Sequence, residues 1–337
     1  MAIAVNPVLG RELKERMRGR RAAIIITVYL LLLTLGLWIV YEAASQTSDF
    51  GNPLPTQLAK VGATVFEWEL FFMLLILMFL IPAQTAGAIA GERERQTLIP
   101  LQITLLSPRS ILLGKVCSAM AFLGLLVVAA VPLMSIAYLI GGVEIGQVLG
   151  GTALVLATGL CVGTLCAAVS TYAKRVQSAT VLSYGLTLGL LLGTLLLYGA
   201  AFVLDESRGI DEGNPPAAIV AFNPVAIVGD LIGDNENQAS SPFDAIKAIT
   251  DPEDETFFGD DEAEFGRGVD FEGDVVVIDE GFAGGPDILP AGEPDVLATG
   301  DEGVPFWALA LLALVLLSAL ALRLAMRRLH TPSERER

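Results

Sequence analysis

The residues best placed to do chemistry are concentrated in one polar segment. From Glu92 to Lys115 the chain reads ERERQTLIPLQITLLSPRSILLGK. Alternating acids and bases open it, leucines fill its middle, and a lysine closes it. Thr97 can cap a short helix starting near Leu98, with Pro100 in its first turn; Ser107-Pro108 restarts a helix by the same cap-plus-proline logic. Leu98, Leu101, Leu105 and Leu106 then form an apolar edge, and an apolar helix edge held in water calls for a docking partner. The chemistry on offer is recognition: charges to set a register and leucines to supply buried area. Phosphate cradling is excluded. Gly114-Lys115 mimics the end of GxxxxGK[ST], but Arg109 stands where the first Gly belongs and Val116 where the Ser or Thr belongs.

Other reactive residue types are scarce or scattered. Cys117, Cys161 and Cys166 fall within or at the ends of apolar runs, and the only histidine is His330. There is no HExxH, so neither zinc chemistry nor a disulfide framework is indicated. Asp260-Asp261-Glu262 and its acidic neighbours invite a calcium reading, yet no D-x-[DN]-x-[DN]-G loop is present, and they read instead as a solvated acidic face. The sequence nominates no catalytic, cofactor-binding or metal-ligating residue, and the chain is not read as an enzyme.

The elements that must carry the polar segment are apolar helices. Of 337 residues 53% are hydrophobic and 17% charged, against roughly 25% charged in an average soluble domain. Six uncharged runs stand out: Ala22–Tyr41, Leu70–Gly91, Val116–Val143, Ile145–Ala173, Val176–Leu204 and Gly303–Leu322. Each is long enough for a bilayer core, which needs about 20 helical residues. The expected fold is all-α, a polytopic membrane protein with six transmembrane helices. Soluble enzymes and nucleic-acid binders are excluded as descriptions of the whole chain.

Charge sets the expected orientation. Short loops rich in Lys and Arg stay cytoplasmic. The N-terminal tail, the connections after spans two and four, and the C-terminal end together hold 17 bases; the alternate connections hold four (Lys60, Arg208, Lys247, Arg267). Both termini are therefore expected in the cytoplasm. The net charge of −16 conceals a division: Asp205 to Glu302 carries 26 acids and three bases, while the remainder has 18 bases and 11 acids. The organisation follows. Residues 1–21 form a cytoplasmic interfacial helix, or a plain basic flank. Residues 22–204 hold spans one to five with the cytoplasmic loop 92–115. Residues 205–303 form a large acidic extracytoplasmic loop between spans five and six, with a re-entrant or interfacial helix at about 217–233. Residues 304–326 are the sixth span and 327–337 a cytoplasmic tail. The first run exceeds a signal-peptide core and reads as an anchor.

Within the charge-free runs no ionisable group appears; Glu67 and Glu69 precede the second run and Glu144 lies in the turn after the third. Proton relays and voltage ladders have no residues here. Small residues recur every fourth position at Gly159, Gly163 and Ala167 and at Gly185, Gly189 and Gly193. Such spacing lets helix backbones approach closely, within one bundle or across a dimer seam. Hydroxyls such as Thr158, Ser170, Ser183, Thr187 and Thr194 are expected to bond their own helix backbones. A path lined by them suits an amphipathic or lipid-like cargo.

The segment after the second span resembles the signature of type-2 ABC transporter permeases, the exporter-type membrane subunits. The matching positions are Glu92, Glu94, Thr97, Leu98, Leu105, Leu106, Ser107, Ile111, Gly114 and Lys115; Gln96 and Leu105 depart from the usual Gly and Pro. Asn6-Pro7-Val8 with Arg11-Glu12-Leu13 resembles the opening of many such permeases, and Phe222-Asn223-Pro224 their outer re-entrant motif. The resemblance implies that Glu92–Lys115, with Glu92, Glu94, Thr97, Leu98, Leu101, Leu105, Leu106, Ser107 and Lys115, couples to a separate ATP-binding cassette ATPase subunit. It implies a second permease copy or paralogue and a place in the cell membrane among its lipids. The alternative is a non-transporting scaffold or assembly factor.

Overall fold

The computed structural model describes residues 19–46, 55–96, 108–207, 217–232, 242–243 and 305–330, together with Gly10 and Lys14. Every regular element among the described residues is helical: α1 (Arg20–Gln46), α2 (Pro55–Thr85), α3 (Gly87–Glu94), α4 (Pro108–Ile140), α5 (Ile145–Tyr172) and α6 (Val176–Leu188), which continues through a π-helical turn, Gly189–Gly193, into α7 (Thr194–Ser207). A 3-10 turn (Ala217–Ile219) precedes α8 (Pro224–Ile232), and α9 spans Phe306–His330.

Among the described residues six stretches are long and apolar enough to cross a membrane: Ala22–Ser45, Gln57–Glu94, Leu113–Ile140, Ile145–Tyr172, Val176–Ala201 and Phe306–Arg327. Helices are what lipid allows, because each satisfies its backbone groups internally. Hydroxyls within them mostly do as expected. Thr85, Thr158, Thr187 and Thr194 donate to carbonyls four residues back at 2.7–2.9 Å. Pro132 is accommodated inside α4. Pro82 lies inside α2, four residues before the interruption at Ala86 that separates α2 from α3; a proline removes one backbone donor and crowds the preceding turn.

α5 is the hub. It packs on α2, α4, α6, α8 and α9 as well as on α3. Most of its interior-facing residues are small, including Gly151, Gly159, Gly163, Ala167 and Ala168, so neighbours close in on its backbone. Leu33, Leu70, Leu74, Leu77, Ile81, Leu126 and Leu165 fill the core around it. The outer surfaces of α1, α6, α7 and α9 expose large apolar side chains such as Trp38, Val181, Leu196 and Leu316. These are the lipid-facing positions of the bundle.

One turn is built for close approach. α4 ends in Gly141 and Gly142, both in the left-handed region (φ 109° and 83°), where L side chains are strained. A methyl group on Gly142 would run into the Ala59 carbonyl, and one on Gly62 into the Gly141 carbonyl. The start of α2 and the α4–α5 turn thus meet backbone to backbone. α5 then opens with a capping box, the Glu144 backbone N–H donating to Gln147 Oε1 at 3.0 Å.

The second span differs from the sequence expectation. Its charge-free run begins at Leu70, but the helix begins at Pro55, so Glu67 and Glu69 lie inside it and not before it. Both are buried. A charge-free run marks residues that tolerate lipid; a face turned into protein is free of that restriction.

Candidate functional site

The polar segment is organised around helix ends. The first four N–H groups of a helix and its last four carbonyls have no partner inside it. At the break after α2, Ala86 provides no side-chain cap for α3. The cap comes from α5: the backbone N–H groups of Ile89 and Ala90 both donate to Ser170 Oγ, at 3.1 and 3.0 Å. Ser170 is fully buried. The expectation that its hydroxyl would serve its own helix is corrected here, because two orphan donors within reach are the stronger claim on it.

α3 returns the service. Arg93 Nη1 donates to the carbonyls of Thr171 and Ala173, at 3.1 and 2.8 Å, and so caps the end of α5. Glu94 Oε2 accepts the backbone N–H of Val176 at 2.9 Å, the first residue of α6, whose own preceding residue Arg175 offers no side-chain cap. Glu92 Oε1 pairs with Lys115 Nζ at 3.0 Å and ties α3 to α4. Lys115 is largely buried, and an interior charge of this kind needs a partner such as Glu92. Beneath these bonds Ala86, Ala90, Ala173 and Ala179 pack with Val176; residues this small let the polar groups reach one another. A cap is worth about 1 kcal/mol, and α3 both gives and receives.

Eight residues, Gly87–Glu94, therefore join α4, α5 and α6 at one end of the bundle. The start of α1 completes that end. Gly19, Ala22, Gly87, Gly91, Glu92 and Lys115 contribute to the wall of an open cleft of about 900 Å³. Of the residues assigned to coupling, Glu92, Glu94 and Lys115 are brought together here; Thr97, Leu98, Leu101, Leu105, Leu106 and Ser107 lie outside the described residues. Ser170 escaped the sequence reading as a site residue, and Arg93 entered it only as one positive charge among many. The signal for Arg93 was its place in the Glu-Arg alternation; Ser170 carried none.

A second node uses the same device at the other end of the fifth span. Asn223 is fully buried. Its Nδ2 donates to the Leu191 carbonyl within the π turn at 3.0 Å and to Thr194 Oγ1 at 2.9 Å. Its Oδ1 accepts the Val225 N–H at 2.8 Å and starts α8, with Pro224 in the first position. At the end of α8 Asp230 Oδ2 accepts the Trp307 N–H at 2.8 Å, capping α9. The Phe-Asn-Pro motif ties the fifth span to α8, and Asp230 ties α8 to the sixth span.

The two glycine stripes differ. A side chain on Gly163 would meet Met120 Sδ at 2.7 Å, and one on Gly159 would touch Ile81 Cδ1 at 3.4 Å; around Gly185, Gly189 and Gly193 there is open space. Among the described residues no three His, Cys, Asp or Glu side chains converge on a point that could hold a metal. The two nodes join helix ends to one another.

Residues 42–327 match the family described as ABC-2 family transporter protein. No curated protein matches the chain.

Proposed function

Since the chain belongs to the ABC-2 transporter family, a family of permease-type membrane components, we propose that it is the membrane subunit of an ATP-driven exporter whose ATPase is a separate polypeptide. The observation that carries this reading is the node at α3. A coupling element must hand a displacement of the partner to several spans at once, and α3 is bonded to α4, α5 and α6 through Glu92, Arg93 and Glu94. The leucine-rich stretch that follows it supplies the apolar edge on which an ATPase would dock, and the sequence given holds no GxxxxGK[ST] of its own. In this reading Glu92–Lys115 faces the cytoplasm with both termini, the acidic stretch 205–303 lies outside, and the protein resides in the cell membrane. The 17-to-4 partition of Lys and Arg supports that orientation.

The mechanism is alternating access. Closure of two ATPases around ATP presses on the two coupling loops, and the α3 node passes the movement to the bundle. The exporter works as a pair of permeases. The face of α6 and the π turn bearing Gly185, Gly189 and Gly193 is bare among the described residues, and a backbone that can be approached so closely suits a second copy or a paralogue. The cargo is amphipathic or lipid-like.

The test is the substitution Leu101→Asp. Burying a leucine contributes roughly 1.5–3 kcal/mol, and the new carboxylate adds an unpaired charge to the contact. The variant should insert normally yet lose capture of the ATPase encoded beside it and the stimulation of its hydrolysis in nanodiscs. If a correctly inserted Leu101→Asp chain retains both, Glu92–Lys115 is not the coupling element and a scaffold role takes precedence.

A further inference from the structure

The open cleft of about 900 Å³ beside α3 is graded from end to end. Glu92, Glu94, Arg95 and Lys115 charge its rim, while Ile25 of α1, Ala83 of α2 and Phe122 of α4 line it further in. Phe122 lies seven residues along α4 from Lys115, about 10 Å. The volume is that of a ligand pocket. Two of the rim charges are spent on each other, Lys115 Nζ lying 3.0 Å from Glu92 Oε1. The other two are not. Glu94 commits only Oε2, to the Val176 N–H; its second oxygen makes no bond among the described residues. The Arg95 guanidinium has neither a hydrogen bond nor an ion pair there. Neighbours in a helix do not face each other, so Glu94 and Arg95 leave one another unpaired.

The backbone fixes where these two charges stand. Arg95 closes α3, its N–H bonded to the Gly91 carbonyl at 3.1 Å. Gln96 follows with a φ of 59° and its N–H on the Arg93 carbonyl at 3.1 Å. That left-handed position at a helix end usually falls to glycine, and a side chain there is strained. The rim thus offers one open carboxylate oxygen and one open guanidinium on adjacent residues, above an apolar interior, with the four charges summing to zero. A headgroup of a single sign is opposed by half of that rim. An amphiphile bearing both signs satisfies it: a guanidinium takes a phosphate in a two-pronged bond, the carboxylate takes an ammonium, and a tail covers Ile25 and Phe122.

We propose that this cleft receives a zwitterionic phospholipid as cargo, its phosphate on Arg95 and its ammonium on Glu94. This rests on the permease reading and adds the headgroup of the cargo to it. The test places the full chain in nanodiscs doped in turn with diazirine-tailed phosphatidylethanolamine, phosphatidylglycerol and diacylglycerol, and reads the cross-linked residues by mass spectrometry. In the wild type phosphatidylethanolamine should label Ile25 and Phe122 roughly tenfold more than either other lipid, the scale of a charge-assisted bond. Trp38 and Leu196, on the outer surface, should be labelled alike by all three. Arg95→Gln should lower phosphatidylethanolamine to the level of diacylglycerol at the cleft, and Arg95→Lys should keep part of the preference. Glu94→Gln, which retains an acceptor for the Val176 N–H, should raise phosphatidylglycerol to the level of phosphatidylethanolamine. With the ATPase bound, ATP and vanadate should clear the label from Ile25 and Phe122 and leave that on Leu196. Cleft labelling in the wild type that ignores the headgroup, or a preference that survives Arg95→Gln or Glu94→Gln, overturns the site. A preference that ATP does not move makes the lipid structural and overturns its role as cargo. Failure of the wild-type chain to bind any ATPase overturns the permease reading and the cargo role with it, while the headgroup preference still decides the site.

Discussion

Ser170→Ala removes one oxygen and strands two donors. Ile89 and Ala90 are at most marginally exposed, and both donate to Ser170 Oγ alone across the α3–α5 contact. A buried donor left without an acceptor costs about 1–3 kcal/mol. Two such donors set a floor of roughly 2 kcal/mol on the docked state of α3, equivalent to about 30-fold in its equilibrium at 1.4 kcal/mol per decade. The bundle itself should survive, because Ser170 makes no bond that holds α5 to its other neighbours. The loss should therefore surface as local opening, which amide hydrogen exchange reads directly. In the nanodisc-embedded chain the amides of Ile89 and Ala90 should exchange about 30-fold faster in Ser170→Ala, with those of the α5 core unchanged. Ser178→Ala is the control, since that exposed hydroxyl serves only its own helix through the Arg175 carbonyl; it should leave both amides as they were. If Ile89 and Ala90 stay as protected in Ser170→Ala as in the wild type, α3 is held by its alanine packing and the capping argument fails.

Three further outcomes follow from the same geometry. Gly142→Ala combines a φ of 83° with a collision against the Ala59 carbonyl, so it should sharply reduce the monodisperse fraction on size exclusion, whereas Gly185→Ala, on an open face, should not; equal yields would refute the backbone contact. Asn223→Ala loses the bonds to the Leu191 carbonyl, Thr194 and Val225 and should cost about 2–4 kcal/mol, read as a fall in Tm of the detergent-solubilised chain, with Asn223→Asp falling less because it keeps the α8 cap. In a cysteine-free background Asp254→Cys should react with an impermeant thiol reagent in intact cells and Gln102→Cys should not; the opposite pattern reverses the orientation.

Six spans were legible because lipid imposes one rule on every outward residue, and a charge-free run of 20 or more residues obeys it in plain view. Inward residues follow a different rule. Glu67 and Glu69 are hidden from lipid by α2's own packing, so a charge-based boundary placed them outside a helix that in fact begins at Pro55. The same distinction explains what was visible of the node. Glu92, Glu94 and Lys115 stand out because charges at the end of a span are conspicuous. Ser170 does not, because a hydroxyl in a helix has a default partner four residues back, and only the approach of an uncapped helix start offers it a better one. Such an approach is a property of the fold and has no sequence pattern of its own. Asn223 shows the intermediate case. Asn-Pro announces a helix start, and that start is present, but the amide's other half reaches a carbonyl of the π turn 32 residues earlier. Local chemistry was readable wherever the partner lay within a turn of chain; wherever one helix completes the end of another, only the packed bundle reveals the pairing. The proposed coupling element rests on pairings of that second kind, the Ser170 cap of α3 and the Arg93 cap of α5.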